Sequence, residues 1–198
     1  IIVAAGKILE NNGKITFTGT AGGITLTGTT TDETTKVVTS GAILRNNGTI
    51  GVGDSTTATY ALSVGAGATV INDGSMVINT VANILGYFEN NKTLDVKANI
   101  TIGDGKNELE FQNNGDITLY QQADNDGKAV DLSITVNEKA ILYNSGSIIK
   151  QKLEGATGKV QLTGAGTYYN QKDGVVGVEV NTAKIEGTTY TVELSADI

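Results

Sequence analysis

Ile43-Leu44-Arg45-Asn46-Asn47-Gly48-Thr49-Ile50 is one copy of a corner that recurs along this chain. Its form is two apolar residues or near equivalents, a spacer in most copies, Asn, a small or polar residue, usually Gly, one more residue, and an apolar restart. Ile8-Leu9-Glu10-Asn11-Asn12-Gly13-Lys14-Ile15 precedes it. Val70-Ile71-Asn72-Asp73-Gly74-Ser75-Met76 and Phe88-Glu89-Asn90-Asn91-Lys92-Thr93-Leu94 follow. Phe111-Gln112-Asn113-Asn114-Gly115-Asp116-Ile117 and Leu142-Tyr143-Asn144-Ser145-Gly146-Ser147-Ile148 come later. Tyr169-Asn170-Gln171-Lys172-Asp173-Gly174-Val175 reads as a lapsed copy. Asn and Gly tolerate the backbone angles of tight turns, which gives the pattern a physical cause.

Hairpins also use Asn-Gly turns, and the spacing separates the two readings. Successive first asparagines lie 35, 26, 18, 23 and 31 residues apart, too long and too uneven for hairpin arms. Nearly every interval holds three short apolar runs. Between Asn46 and Asn72 these are Ile50/Val52, Tyr60/Leu62/Val64 and Val70/Ile71. Between Asn90 and Asn113 they are Leu94/Val96, Ile100/Ile102 and Leu109/Phe111. Inward apolar residues alternate with outward polar ones, as in strands with one buried face. The pattern predicts an all-β parallel β-helix, a solenoid of about seven three-stranded coils stacked at about 4.8 Å, or roughly 35 Å of rod. One corner is fixed and two absorb insertions. Asn11, Asn46, Asn72, Asn90, Asn113 and Asn144 are expected to stack at the fixed corner. Met76 to Phe88 is the one stretch with a competing helical reading; Asn79, Asn83 and Gly86 interrupt it, so it reads as the shortest coil.

Composition narrows the function. Hydrophobic residues make up 39% and aromatic residues only 5%, so the core is aliphatic; Gly numbers 26 and Pro is absent. Residues 1–198 read as one domain. Ile1-Ile2-Val3 has no signal-peptide layout, and an interior fragment of a longer chain is the expectation. Without Cys or His, disulfides, thiolate chemistry, His acid/base catalysis and ordinary zinc sites drop out. A net charge of −7 and a single arginine, Arg45, argue against nucleic acid as a partner. No apolar run is long enough to span a bilayer as a helix, so no membrane insertion of this segment is expected.

The corner segments, spread over nearly the whole chain, resemble the passenger region of Gram-negative autotransporters, the type V secreted surface proteins. The similarity is nearest to large fusobacterial-type adhesins rich in Asn-x-Gly-x-Ile corners. That resemblance implies a right-handed parallel β-helix displayed on the bacterial cell surface and used in adhesion and virulence. It also implies export through an outer-membrane barrel that is separate from this segment. Such adhesins share no binding motif, so no functional residue follows from it.

Candidate sites were weighed against ordinary surface chemistry. Asp124-Asn125-Asp126-Gly127, with Glu138 downstream, offers oxygen ligands, but an EF-hand loop needs Gly sixth and Glu twelfth, and here Gly is fourth. Gly103-Asp104-Gly105-Lys106-Asn107-Glu108-Leu109 resembles a calcium-binding nonapeptide only once, and those sites form between repeats. No metal or other cofactor is expected. Glu108 and Glu110 share an outer strand face at about 7 Å, a spacing compatible with glycoside hydrolysis. No Trp platform accompanies them, and Asp32-Glu33 has even less context; the chain reads as a non-enzyme. Thr-x-Thr pairs at Thr16/Thr18, Thr25/Thr27 and Thr189/Thr191 fail to recur on every coil, as an ice-binding face requires.

The expected contact surface is Tyr120, Gln121, Gln122, Asp124 and Asp126, beside the polar insertion Gln121 to Lys128. Tyr supplies large contact area with a polar tip, and insertions on a rigid solenoid are where recognition is placed. Tyr168-Tyr169 is the other exposed-contact candidate, weighed against a core place for one of the two. The leading function is an extracellular surface adhesin or stalk whose loops meet a receptor, protein or glycan, on a host or neighbouring cell. A pure spacer and a polysaccharide-active β-helix, lyase-like or tailspike-like, are the alternatives.

Overall fold

An asparagine fixed at a corner must find partners for two amide protons, and stacked coils supply both. The computed structural model describes residues 1–17, 22–52, 61–124, 126–152 and 158–187. Thr18, Tyr60, Asn125, Thr189 and Thr191, named above, lie outside these residues.

The chain winds as a parallel β-helix with three walls. The first wall stacks Ile8–Asn11, Ile43–Asn46, Thr69–Asn72, Tyr87–Asn90, Leu109–Asn113 and Ala140–Asn144. Every neighbouring pair is parallel. The second wall is a 7-stranded parallel sheet from Lys14–Phe17 to Val175–Val176. The third begins at Ile2–Val3 and continues through Gly23–Leu26, Ala61–Val64, Ala82–Ile84, Ile100–Ile102 and Leu132–Val136. Val160–Asn170 then runs across the third and first walls in a single strand, pairing with Leu132–Val136 and then with Ala140–Asn144. Gly164 makes this continuity possible: its φ is +117°, and a Cβ there would collide with the Val136 carbonyl. Glu179–Gly187 lies along the whole of that strand. Ser75–Ile78, Ala82–Ile84 and Tyr87–Asn90 form the shortest coil, so the helical alternative for Met76 to Phe88 fails. Among the described residues no helix is long and apolar enough to cross a membrane.

Registered side chains fill the interior in columns. Leu44, Val70, Phe88, Phe111, Leu142 and Tyr168 follow one another in the first wall, and Ile50, Met76, Leu94, Ile117 and Ile148 in the second; all are at most 1% exposed. Phe88 and Phe111 stack nearly coplanar, 4.6 Å between ring centroids. Each such side chain contributes roughly 1.5–3 kcal/mol by leaving water, and a coil gains this only against its neighbours.

The six corner asparagines stand in register. The Nδ2 of each donates to the Oδ1 of the next: Asn11 to Asn46 at 2.7 Å, then to Asn72, Asn90, Asn113 and Asn144 in turn. The second proton goes to a backbone carbonyl of the following coil, as from Asn46 to Ser75 at 3.0 Å and from Asn72 to Thr93 at 2.9 Å. Asn170 is a full seventh member and not a lapsed copy: it pairs with Asn144, whose Nδ2 donates to its Oδ1 at 2.9 Å. Gln171-Lys172-Asp173 disguised it by lengthening the turn before Val175. The ladder ends there, because Gly187 occupies the next position and Asn170 donates instead to the Gly174 carbonyl at 2.8 Å.

Asn90→Ala is expected to lower folding stability by about 3 kcal/mol, because it strands an Asn72 donor and the Asn113 and Asp116 acceptors in a dry interior. Asn114→Ala, on the exposed side of the same corner, is expected to cost less than about 1 kcal/mol. Urea midpoints of the two variants provide the comparison.

Candidate functional site

Among the described residues two hairpins leave the solenoid, and each is shaped by an aspartate at its start. Gln122–Ala123 pairs antiparallel with Ala129–Val130 between the second and third walls. Asp124 Oδ1 accepts the N–H groups of Asp126 at 3.0 Å and Lys128 at 2.8 Å, and Gly127 takes φ +76°. Thr30–Thr31 pairs with Val38–Thr39 between the third and first walls. There Asp32 Oδ1 accepts from Thr34 N at 2.9 Å and Thr35 N at 2.7 Å. The Thr35 and Thr34 N–H groups hold the Asp32 carboxyl below its ordinary range. This second hairpin exposes Val37 and Val38, at 58% and 63%. In the sequence Asp32-Glu33 stands out as an acidic pair, and nothing there marks it as the opening of a turn.

The five expected contact residues divide. Tyr120 ends the strand Asp116–Tyr120 on the outer face, with Lys97 Nζ 5.5 Å from its ring centroid. Burial raises its phenol pKa above the ordinary value and the Asp95 carboxylate adds to the rise. Burial also raises Asp95, against the pull of Lys97. Gln121 departs from the expected set. It is only 5% exposed, its N–H donates to Gln151 O and its Nε2 donates to the Gly158 carbonyl at 2.5 Å, so it ties the insertion to the next coil. Gln122 turns back onto the carbonyls of Tyr120 and Gln121. Asp124 is engaged by its own turn, which leaves Asp126 and Lys128 exposed at the tip.

Glu108 and Glu110 are both exposed, and with Leu109 and Tyr87 they line a shallow recess of about 540 Å³. Its floor includes Ala66, Gly67, Leu85 and Gly86, where the shortest coil turns directly from Ala82–Ile84 into Tyr87–Asn90. Asp104 caps the neighbouring turn by accepting from Lys106 N at 2.8 Å and Asn107 N at 3.0 Å. Its oxygens therefore serve the turn itself. Among the described residues no group of three or more Asp or Glu side chains is arranged to hold a metal ion.

A further surface lies outside the sequence reading. On the first wall, residues one and three before each ladder asparagine face outward, which gathers Tyr87, Glu89, Glu110, Tyr143 and Tyr169. Tyr87 Oη donates to Glu89 Oε2 at 3.1 Å, and the Tyr143 and Tyr169 rings are 5.4 Å apart and tilted. Tyr168 is the core member of its pair. Counting back from the corner asparagines would have found this face. Comparison with protein-family models, with curated proteins and with solved structures returned no match.

Burial, then the adjacent Glu89 and Glu110 carboxylates, push the Tyr87 phenol up to about 12. The neutral phenol is thus favoured by the fold, and that contribution disappears as pH rises from about 10 through about 12. An ultraviolet titration is expected to show a tyrosinate step near 12 that Tyr87→Phe removes.

Proposed function

We propose that this chain is a non-enzymatic segment of a bacterial surface adhesin, a stiff β-helical stalk that presents its corner insertions to a receptor on a host or neighbouring cell. The observation that carries this reading is the division of labour around the coil. One corner is held by a buried ladder with almost no variation in length, while the other two project hairpins from it. A scaffold that keeps its recognition loops on insertions leaves them free to vary without disturbing the core. The corner segments' likeness to autotransporter passengers supports an extracellular location and secretion by the type V route. A net charge of −7 suits a soluble exposed rod.

Tyr120 with the Gln122–Val130 hairpin is the assigned contact surface. Tyr120 offers an aromatic face already held by Lys97 and the packed strand, so little side-chain freedom is lost on binding. The recess beside Glu108 and Glu110 favours a second reading, action on a polysaccharide, since carboxylates and a tyrosine meet there. Loss of glycan cleavage in Glu108→Gln and Glu110→Gln would establish it; absence of cleavage by the intact chain would dismiss it.

Replacing residues 123–129 with a short turn, and separately Tyr120→Ala, is expected to reduce cell binding by the purified chain at least about tenfold, a loss of about 1.4 kcal/mol. Far-ultraviolet circular dichroism and the urea midpoint of the loop variant are expected to stay unchanged, because that hairpin lies outside the stacked walls. Intact binding by both variants would move the contact elsewhere, and no binding by the unaltered chain would leave the spacer reading.

A further inference from the structure

The outward face of the first wall is built as two columns. Three residues before the ladder asparagines run Tyr87, Glu110 and Ile141; one residue before them run Glu89, Gln112, Tyr143 and Tyr169. At the outward positions from Thr69 to Tyr169 the only charged side chains are Glu89 and Glu110. The nearest cations in these columns are Arg45, two rungs before Glu89, and Lys184, three rungs after Glu110. Lys184 is already paired with Glu186.

Both carboxylates accept from neutral donors. Tyr87 Oη donates to Glu89 Oε2 at 3.1 Å, Asn114 Nδ2 to Glu89 Oε1 at 3.5 Å, and Gln112 Nε2 to Glu110 Oε2 at 3.3 Å. Among the described residues no lysine or arginine forms an ion pair with either. These hydrogen bonds fix the carboxylates in place but leave their charge uncompensated, and an ionised carboxylate has acceptor capacity to spare. Aromatic rings flank them. Glu110 adjoins Tyr87 in its own column and lies diagonal to Tyr143, whose ring is tilted by 53° against Tyr169. Ring faces attract cations that approach within about 6 Å, and a planar guanidinium can also stack on them. Beside Glu110 the recess of about 540 Å³, lined by Leu85, Gly86 and Leu109, has room for an aliphatic stem.

Spacing selects the pattern of cations. Strands about 4.8 Å apart, with alternate residues roughly 6.6 Å apart along each, place the diagonal pair Glu89 and Glu110 about 8 Å from one another. Arginines two residues apart on an extended chain share a face at about 7 Å. We propose that this face docks an extended basic segment of a partner protein through an Arg-x-Arg pair. One guanidinium sits on Glu89, and the other on Glu110 against the Tyr143 ring. The surface is on a different wall from Tyr120 and its hairpin, so the proposal stands or falls independently of that contact.

Fluorescence anisotropy of the purified chain with a labelled Gly-Ser-Arg-Ser-Arg-Ser-Gly peptide tests it. Saturable binding is expected below about 1 mM, weakening as salt is added. Glu89→Gln and Glu110→Gln should each weaken it at least about fivefold, and Tyr143→Ala at least about threefold. Glu179→Gln removes an exposed charge from the third wall and is expected to change binding by less than about twofold. A Lys-Ser-Lys version should bind the unaltered chain at least about threefold more weakly, because an ammonium can neither fork onto a carboxylate nor stack. Urea midpoints of the two Gln variants should match that of the unaltered chain, since both side chains point outward. An equal loss in Glu179→Gln and Glu110→Gln, equal binding of the lysine peptide, displacement by a neutral glucan oligomer, or no saturable binding would each overturn the proposal.

Discussion

A buried primary amide is stable only when both its protons and its oxygen are engaged, and that requirement governs this molecule. Asn46, Asn72, Asn90, Asn113 and Asn144 are fully buried. Each donates one proton to the next asparagine and one to a backbone carbonyl of the next coil. Burying such a group without partners costs a few kcal/mol, so a coil slipped by one residue is penalised at every rung. Apolar columns supply the drive to stack but little sense of position, since Leu, Ile, Val and Phe substitute for one another along them. The ladder sets the register; the columns supply most of the free energy.

Backbone groups at the same corner reinforce this. The Asn11 carbonyl accepts both Asn47 N and Gly48 N, and the Asn90 and Asn113 carbonyls repeat the arrangement three and four coils later. With side chain and main chain both committed, the corner keeps one length between asparagine and the restart of the second wall from Asn11 to Asn144, and lengthens only after Asn170, where the ladder ends. The other two corners are under no such demand. They shrink to Leu85-Gly86, vanish within Val160–Asn170, or grow into hairpins. Variation at the elastic corners therefore costs the fold little, and that freedom makes them suitable for recognition.

The fold was legible because this constraint writes itself into the chain at each turn. Asn, then Gly two residues on, then an apolar restart is a signal that the elastic corners cannot blur. Asn170 escaped because Gln171-Lys172-Asp173 stretches its turn, although Tyr168 and Tyr169 before it keep the inward and outward alternation. The candidate surfaces were less legible. Gln121 and Gln122 look alike in sequence, yet the Gly158 carbonyl of the next coil draws Gln121 inward. The tyrosine and glutamate face of the first wall comes from residues separated by whole coils, and only the register brings Glu110 beside Tyr87. Contacts of that kind depend on insertion lengths at the other corners, which carry no fixed motif.

The two asparagine columns also oppose each other in direction. In the buried ladder each Nδ2 donates toward the later coil, from Asn11 to Asn46 and onward. In the exposed column the donation runs toward the earlier coil, from Asn47 to Asn12, Asn91 to Asp73, Asn114 to Asn91, and Ser145 Oγ to Asn114. A column of aligned amides accumulates a dipole along the rod, and hydrogen bonds in such a chain polarise one another. Two adjacent columns of opposite sense cancel much of that field while each keeps its own cooperativity. An aspartate interrupts only the exposed column, at Asp73, where a carboxylate can accept but not donate. The buried column, whose members must do both, contains asparagine at every rung from Asn11 to Asn170. Burial thus decides which column admits a charge.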